Sequence, residues 1–284
     1  MTDKQSRLLT VAAIQASYGS DMQVNIDKTV GFIRQAAEQG AQVVLASELF
    51  QGPYFCTTQD ERWFDQAYPI ETHPCVVQLQ PLARELAVVL PVSVFERDGH
   101  HTFNSVAMLD HNGAILGVYR KSHIPDGPGY NEKYYFRPGN TGFKVWNTAY
   151  GRIGVGICWD QWFPECARAM MLQGAEILMY PTAIGSEPHD ASLQTMEPWR
   201  RAMQGHAVSN VVPVVAANRV GTEKGLGTPQ TFYGHSFIAD QRGDLVQKFG
   251  SSEEGVLVHT FDLNYLRTHR SAWGFFRDRR TDLY

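Results

Sequence analysis

Apolar positions along the chain follow two periods, one typical of buried strands and one typical of helices. Residues 8–15 alternate and then become continuously apolar, which predicts a strand that enters the interior. Apolar residues recur at spacings of four, three and four from Ile26 to Ala37, which predicts the buried face of a helix. Residues 42–46 form the next apolar run and predict a second strand.

The same two periods predict the remaining elements. Asp98-Gly99 and Asn112-Gly113 are signals for tight hairpin turns between strands. Hairpins join antiparallel strands, so the sheets cannot be purely parallel, which disfavours a Rossmann or a TIM-barrel architecture. Helices are predicted at about 74–87, from Pro164 onward and at 194–210, and strands at 88–96, 103–109, 114–119, 143–147, 152–157, 176–180, 213–217, 234–239, 245–249 and 256–262.

A long loop interrupts this pattern at residues 50–74, which are rich in aromatic side chains such as Tyr54. Loops of this length inside a compact domain are usually functional. We therefore expect this loop to form a wall of a substrate pocket.

The composition favours one domain over residues 1–284, because 43% of the residues are hydrophobic and can bury a sizeable core. A formal net charge of -4 argues against nucleic acid as a principal partner, since phosphate binding needs a concentrated basic face. No apolar run approaches the roughly 20 residues that span a bilayer, and the first residues lack the apolar core of a signal peptide. We therefore expect a cytoplasmic protein with no membrane partner.

The four cysteines, Cys56, Cys75, Cys158 and Cys166, include no C-x-x-C pair. Neither a zinc ribbon nor a thioredoxin-type site is therefore supported. The sequence also lacks an H-E-x-x-H motif, so it implies no metal. Reduced thiols fit the expected cytoplasmic location.

Three predicted strands end on side chains that can do chemistry, namely Glu48, Lys121 and Cys158. Sites in α/β proteins usually form at the carboxyl ends of strands. Singly, each residue has a structural interpretation: a surface carboxylate, a solvated lysine and a buried apolar thiol. Their joint occurrence favours a catalytic site, with Pro164 starting a helix shortly after the thiol.

Two rival catalytic templates fit less well. Gly154, Gly156 and Trp159 occupy the spacing of G-x-G-x-x-G, but a tryptophan at the third position prevents close packing against a pyrophosphate. Several histidines could pair with Cys158, but none lies in a context that resembles a papain-type signature.

The segments AQVVLASELFQGPYF, GAILGVYRKSHIPDGPGY and GRIGVGICWDQWFPECAR, which occur in this order, resemble the nitrilase superfamily of carbon–nitrogen hydrolases. The resemblance runs from Leu8 through the C-terminal tail. It implies a Cys-Glu-Lys triad and a four-layer α-β-β-α sandwich of two mixed sheets. Within the superfamily, GICWDQWFPECAR and YNEKYYFRPGNTGFKV resemble the N-carbamoylputrescine amidases most, with the N-carbamoyl amino acid amidohydrolases as near relatives.

The resemblance also implies roles for the individual residues. Cys158 is expected as the nucleophile and Glu48 as the base, while Lys121 and the backbone N–H of Trp159 hold the oxyanion. Glu132 matches a second glutamate of the family that orients the lysine and the attacking water. Its alternative is a structural ion pair with a neighbouring basic residue. No cofactor is needed for this chemistry.

The charge near the expected pocket predicts a cationic ureido substrate. A carbamoyl amino acid would call for an arginine or lysine clamp, whereas Glu187 and Asp190 follow the strand at 176–180. Carboxylates and aromatic rings suit a distal ammonium. Glu187 could alternatively be a carboxylate at a helix start. The rings expected at this site are Tyr54, Tyr130 and Trp162.

The resemblance implies a thiol amidohydrolase that converts N-carbamoylputrescine to putrescine, carbon dioxide and ammonia. A related N-carbamoyl amino acid amidohydrolase or aliphatic amidase is the near alternative, and a non-catalytic binding or assembly module is the alternative from another class. The tail at about 264–284 carries Trp273, Phe275 and Phe276 without a regular period. We expect it to pack on a neighbouring subunit of a homo-oligomer, a dimer or larger.

Overall fold

The computed structural model describes residues 6–190, 192–224, 227 and 229–284. The strands of these residues are β1 (Leu8–Gln15), β2 (Val43–Leu45), β3 (Leu90–Asp98), β4 (His101–Leu109), β5 (Ile115–Arg120), β6 (Val145–Asn147), β7 (Arg152–Val155), β8 (Ile177–Pro181), β9 (Val214–Ala217), β10 (Val220–Glu223), β11 (Gln230–Tyr233), β12 (Phe237–Ala239), β13 (Leu245–Lys248) and β14 (Gly255–Asp262). The helices are α1 (Met22–Glu38), α2 (Pro74–Leu86), α3 (Glu132–Tyr135), α4 (Pro164–Leu172), α5 (Met196–Asn210) and α6 (Leu263–Trp273).

The first layer of strands runs in the order β14-β1-β2 and continues into β3-β4-β5. β1 pairs antiparallel with β14, from Leu8 opposite Asp262 to Gln15 opposite Gly255. An isolated parallel bridge between Val43 and Val89 joins the two halves of the layer. The hairpin signals at Gly99 and Gly113 lie where the chain turns between β3, β4 and β5, and both glycines have a positive φ.

The second layer is a six-stranded sheet in the order β13-β12-β9-β8-β7-β6. Its strands β7, β8 and β9 are parallel, and α4 and α5 connect them. Parallel strands need such helical crossovers, which explains why strand and helix periods alternate here in the sequence.

The two strand layers pack face to face, and helices cover their outer faces. Apolar side chains of β1, β2 and β4 meet those of β7, β8 and β9 in one buried cluster. A second cluster buries α1 and α2 against the first layer, and a third buries α4 and α5 against the second. This arrangement confirms the predicted four-layer α-β-β-α sandwich. No helix in the described ranges is both long and apolar enough to span a bilayer.

Some elements differ from the sequence prediction. The β10–β11 hairpin was not predicted, because its strands carry few buried apolar side chains. The tail forms α6, which buries only Leu263 and Leu266 and therefore shows no helical period. A 3₁₀ helix at Cys158–Trp162, which was not predicted, fills the turn between the thiol and α4, and α4 begins at Pro164 as predicted. The long loop at 50–74 contains three short 3₁₀ helices.

The start of α2 depends on a buried histidine. Pro74 occupies the first turn, and His73 Nδ1 accepts a hydrogen bond from the backbone N–H of Cys75 at 3.2 Å. The other ring nitrogen of His73 lies 3.1 Å from Gln51 Oε1. Nδ1 acts as an acceptor, so the ring is neutral and Nε2 carries the proton.

Candidate active site

Cys158 lies shortly after the end of β7, and its backbone adopts a left-handed conformation with φ 41°. Few non-glycine residues adopt this conformation, and they cluster at functional sites. The side chain is buried, and its Sγ lies 4.0 Å from the carbonyl oxygen of Ala183. Burial raises the pKa of the Cys158 thiol well above its usual value; Glu48 adds to this effect and Lys121 opposes it. The resting nucleophile is therefore a thiol that needs a base.

Asp160 holds the turn around Cys158 in place. Its carboxylate accepts hydrogen bonds from the backbone N–H of Ile157 at 2.9 Å and of His123 at 3.0 Å. It also accepts from the Tyr119 hydroxyl at 2.7 Å. Tyr119 lies on β5 and His123 follows that strand, so Asp160 connects the thiol to the chain that carries Lys121.

Lys121 stands between two carboxylates in a fully buried position. Its Nζ donates to Glu48 Oε1 at 2.8 Å and to Glu132 Oε2 at 2.6 Å, and the three side chains are at most 1% exposed. Burial alone would lower the pKa of Lys121, but Glu132 and Glu48 outweigh it and hold that pKa well above its usual value. Lys121 is therefore a permanent cation at the centre of the site.

Glu48 follows β2 and keeps one carboxylate oxygen free. Oε1 accepts from Lys121 and from the Asn104 amide at 2.7 Å. Oε2 is buried and has no hydrogen-bond partner among the described residues. A buried oxygen without a donor is costly, which makes Oε2 ready to accept the proton of an incoming group such as the thiol.

Glu132 opens the short helix α3 and faces Lys121 from the other side. Its Oε1 accepts a hydrogen bond from the Tyr54 hydroxyl at 2.6 Å. Burial raises the pKa of Glu132 to about 7; Lys121 opposes the rise and Glu48 adds to it. This carboxyl group therefore changes its charge near neutral pH.

A cavity of about 360 Å³ opens above these groups and reaches Cys158. The indole ring of Trp159 is partly exposed and meets that of Trp162 edge to face, with ring centroids 6.2 Å apart. Burial raises the pKa of Glu187, and His189 opposes that rise. The cavity is lined by Pro125, Asp126, Gly127, Pro128, Tyr130, Glu132, Cys158, Trp159, Trp162, Ile184, Glu187, His189 and Thr195.

The structure brings together the four residues expected to be catalytic, which are Glu48, Lys121, Glu132 and Cys158. Of the residues expected to bind substrate, Trp159, Tyr130, Trp162 and Glu187 line the cavity.

Two of the expected substrate-binding residues lie elsewhere. Tyr54 is buried behind Glu132 and donates its hydroxyl to it, because the loop at 50–74 packs its rings inward. The predicted pocket wall is formed by residues 125–130 instead. Asp190 turns away from the cavity, since its carboxylate accepts from the backbone N–H of Ser192 at 2.9 Å and from its hydroxyl at 2.6 Å.

Sequence reasoning missed several polar residues that shape the site. Asn104 lies inside β4 and donates to the carboxylate of Glu48, and Arg219 follows β9 and donates to the carbonyl oxygen of Glu48. Both residues are far from Glu48 in the sequence. Their only local signal is a polar side chain within or directly after an apolar strand. Asp160 stands two residues after the nucleophile and could have been found from that proximity. No group of three or more metal-ligating side chains is clustered in the part of the chain that the structure describes.

A thiol that cannot ionise alone, a carboxylate oxygen that is free to deprotonate it and a buried cation beside both define a thiol-dependent hydrolase. The model of the carbon–nitrogen hydrolase family matches residues 10–271, and the chain belongs to this family. The resemblance to the nitrilase superfamily is thereby confirmed, and the protein is an enzyme that hydrolyses carbon–nitrogen bonds.

The chain is similar over almost its whole length to two enzymes of known activity and to one solved structure of the family. The chain is 55% identical over 286 residues to the N-carbamoylputrescine amidase of Solanum lycopersicum, covering 99% of this chain and 95% of the relative. It is 51% identical over 276 residues to the citrullinase of Francisella tularensis, covering 97% and 96%. The crystal structure of a carbon–nitrogen hydrolase from Helicobacter pylori G27 superimposes with a TM-score of 0.91 at 36% identity, covering 98% of this chain and 97% of that one.

Proposed function

We propose that this enzyme hydrolyses N-carbamoylputrescine to putrescine, carbon dioxide and ammonia, a step in polyamine biosynthesis. The observation that carries the proposal is the charge of the cavity above Cys158. Its described lining contains the carboxyl groups of Asp126, Glu132 and Glu187 but no arginine or lysine. The similarity to N-carbamoylputrescine amidases over nearly the whole chain supports the same substrate.

The first half of the reaction acylates the thiol. Glu48 Oε2 takes the proton of Cys158 as Sγ attacks the ureido carbon. The Lys121 ammonium and the backbone N–H of Trp159 stabilise the oxyanion of the tetrahedral intermediate. Glu48 returns the proton to the departing nitrogen, ammonia leaves, and an N-alkyl carbamoyl thioester remains on Cys158.

The second half regenerates the enzyme. A water molecule gives a proton to Glu48 and attacks the thioester, while Glu132 keeps Lys121 in place. The C–S bond breaks, the thiol regains its proton, and an N-alkyl carbamate is released. The carbamate loses carbon dioxide in solution and yields the free amine.

Recognition of the distal ammonium is assigned to Glu187 and the neighbouring rings. The carboxylate of Glu187 is partly buried, so an ion pair there is screened less than at the surface. Trp159 and Trp162 offer ring faces or edges along the aliphatic chain of the substrate. A substrate with a distal carboxylate would find only His189 as a possible cationic partner among the described lining residues.

A ureido amino acid is the second candidate substrate, and the similarity to citrullinase favours it. Citrulline is N-carbamoylputrescine with a carboxylate added beside the distal ammonium. The pair therefore isolates the effect of one carboxylate on a shared ureide.

The test measures ammonia release from N-carbamoylputrescine, L-citrulline and N-carbamoyl-β-alanine, with Cys158→Ala and Cys166→Ala as matched variants. Cys166 is a buried thiol on α4 outside the cavity lining. We expect kcat/KM for N-carbamoylputrescine to exceed the other two values by at least about tenfold, with activity lost only in Cys158→Ala. Higher kcat/KM for L-citrulline would transfer the function to the second candidate. Full activity of Cys158→Ala would exclude the thiol mechanism. If the wild-type protein released ammonia from none of the three substrates, the result would favour a binding module.

The proposal includes the cellular setting. The four cysteines are free, which supports a reducing, cytoplasmic location. The enzyme forms a homo-oligomer, and the exposed rings of the tail support a subunit contact there.

A further inference from the structure

Arg219 is a buried arginine that binds the segment carrying the base Glu48. It follows β9, and its side chain is 0% exposed. Its guanidinium donates to the carbonyl oxygen of Glu48 at 3.0 Å, to that of Leu49, and to that of Gly52 at 2.9 Å. One cation thus binds three carbonyl groups of the short segment that begins with the base.

The segment needs this support because its backbone is unusual. Leu49 has a φ of 50°, a left-handed backbone conformation that residues other than glycine and asparagine seldom adopt. Carbonyl groups in such a turn leave the hydrogen-bond ladder of β2 and must find donors elsewhere. The planar fork of an arginine can serve several of them at once, whereas the ammonium of a lysine is a single point.

Glu223 completes the arrangement from β10. Its Oε1 pairs with Arg219 Nη1 at 2.8 Å, and its Oε2 accepts the backbone N–H of Tyr54 at 2.5 Å. Tyr54 in turn donates its hydroxyl to Glu132. The ion pair therefore reaches Glu48 through its own backbone and Glu132 through one tyrosine.

From these contacts, we infer that Arg219 and Glu223 are positioning residues that hold the base Glu48 and the second glutamate Glu132 at their places around Lys121. The inference rests on the hydrolytic function proposed above. A buried ion pair by itself gives little net stability relative to apolar packing, so the structural role is in placing its partners. A shift of about 1 Å in a catalytic group can cost on the order of 100-fold in rate.

The first experiment compares Arg219→Lys with Arg97→Lys in steady-state kinetics. Arg97 also donates to a backbone carbonyl, that of Phe64, but lies outside the cavity lining. We expect Arg219→Lys to lower kcat by roughly 10- to 100-fold with KM changed less than about threefold, while Arg97→Lys stays near wild type. Urea unfolding of both variants verifies that they are folded. Equal kcat values in the two folded variants would overturn the inference.

Glu223→Gln is the second variant, in case Arg219→Lys does not fold. Arg219 and the backbone N–H of Tyr54 bind different oxygens of Glu223, and a glutamine replaces one of these oxygens with an NH2 group, so one of the two donors loses its acceptor. We expect its kcat to fall in the same direction with KM nearly unchanged. A change in KM with kcat unchanged would contradict the assignment, because it would indicate a role in substrate binding instead.

A substrate-free measurement separates this inference from the proposed function. Iodoacetamide alkylation of Cys158 depends on the base that deprotonates the thiol, so its rate reports the position of Glu48. We expect the alkylation rate in Arg219→Lys and Glu223→Gln to shift from the wild-type value toward that of Glu48→Gln, with Cys158→Ala as the blank. This shift would support the positioning role even if no ureide is hydrolysed. Wild-type alkylation rates in both variants would overturn it.

Discussion

Three buried charges share the centre of this site, and they do not cancel. Glu48 and Glu132 flank the single cation Lys121, and the side chains have almost no contact with solvent. Burial opposes the charged form of Glu132 and the nearby Glu48 adds to this effect, which explains why the pKa of Glu132 rises to about 7 although Lys121 opposes the rise. Oε2 of Glu48 has no hydrogen-bond partner among the described residues and is free for the thiol.

The pH dependence of the reaction should report the protonation of Glu132. The pKa of Glu132 is about 7, so Glu132 is ionised above that pH and neutral below it. The ionised form accepts hydrogen bonds from Lys121 and Tyr54, whereas the neutral form must give up one of these acceptor positions. We expect kcat/KM for N-carbamoylputrescine to fall as the pH is lowered through about 7.

The matching variant is Glu132→Gln, which cannot titrate. We expect a lower kcat/KM at pH 8 and loss of the inflection near pH 7 from its profile between pH 5.5 and 8.5. An inflection that persists in this variant would assign the titration to another group.

Glu187 is expected to bind the distal ammonium group of the substrate rather than to take part in bond cleavage. Glu187→Gln keeps the size of the side chain and removes its charge. We expect KM for N-carbamoylputrescine to rise by roughly 10-fold or more, since a hydrogen bond to a charged group contributes about 1.5–3 kcal/mol. The neutral analogue N-butylurea should show less than about a twofold change. Equal changes for the two ureides would exclude ammonium recognition by Glu187.

At the scale of the elements, the start of α2 couples helix capping to acid stability. Burial lowers the pKa of His73 from 6.5 to about 3. The unfolded chain therefore takes up a proton below pH 6.5, while the folded protein resists it down to about pH 3. The unfolded state binds more protons in this window, so His73 makes the free energy of unfolding fall as the pH falls below 6.5, and above pH 6.5 this contribution of His73 is constant.

His73→Asn should weaken this dependence, because an asparagine oxygen can also cap the N–H of Cys75 but does not titrate. Between pH 6 and 4, we expect the slope of the free energy of unfolding against pH to be smaller in this variant than in the wild type by about 1 kcal/mol per pH unit, as measured by urea unfolding. The exposed turn residue His100 supplies the control, and His100→Asn should keep the wild-type slope. Identical slopes in both variants would show that the buried ring does not control acid stability.

The elements that the sequence predicts are those whose burial follows a simple period. β1 alternates and then becomes apolar, β8 and β9 are continuous apolar strands, and the hairpin turns carry glycines with a positive φ. The missed hairpin β10–β11 buries apolar side chains only at Val220 and Phe232, and helix α6 is mostly exposed in the single chain, so their sequences lack the contrast that periodicity needs. Glu48 follows β2 and Lys121 follows β5 in the first layer, whereas Cys158 follows β7 in the second layer, so these strand ends meet across the two packed layers. Asn104 and Arg219 could not be found in this way, since their contacts span 56 and 171 positions.

At the scale of the whole molecule, the C-terminal tail carries a group of exposed apolar side chains. Tyr265 and Trp273 are 55% and 57% exposed on α6, and Leu283 and Tyr284 are also exposed. Phe276 lies under the guanidinium of Arg168 on α4, 4.8 Å from it, so the tail runs beside the outer helices of the second layer. Exposed rings in such a group are typical of a subunit interface.

Truncation of the chain after Leu266 is therefore expected to lower the sedimentation coefficient of the proposed homo-oligomer. Val77→Ser serves as the control, because it removes a single exposed apolar side chain from α2. We expect this variant to sediment like the wild type. A truncated protein of unchanged subunit number would exclude the tail as the contact.

The pairing of β1 with β14 dictates the order in which the sandwich can be completed. β1 lies between β2 and β14, and its antiparallel partner ends at Asp262. During synthesis, one edge of an apolar strand stays unpaired until almost the whole chain has emerged, and contacts of such long separation form slowly. A nascent chain that ends before Gly255 already contains Glu48, Lys121 and Cys158 but still presents an open sheet edge. Such chains are expected to be substrates for chaperones rather than partly active enzymes.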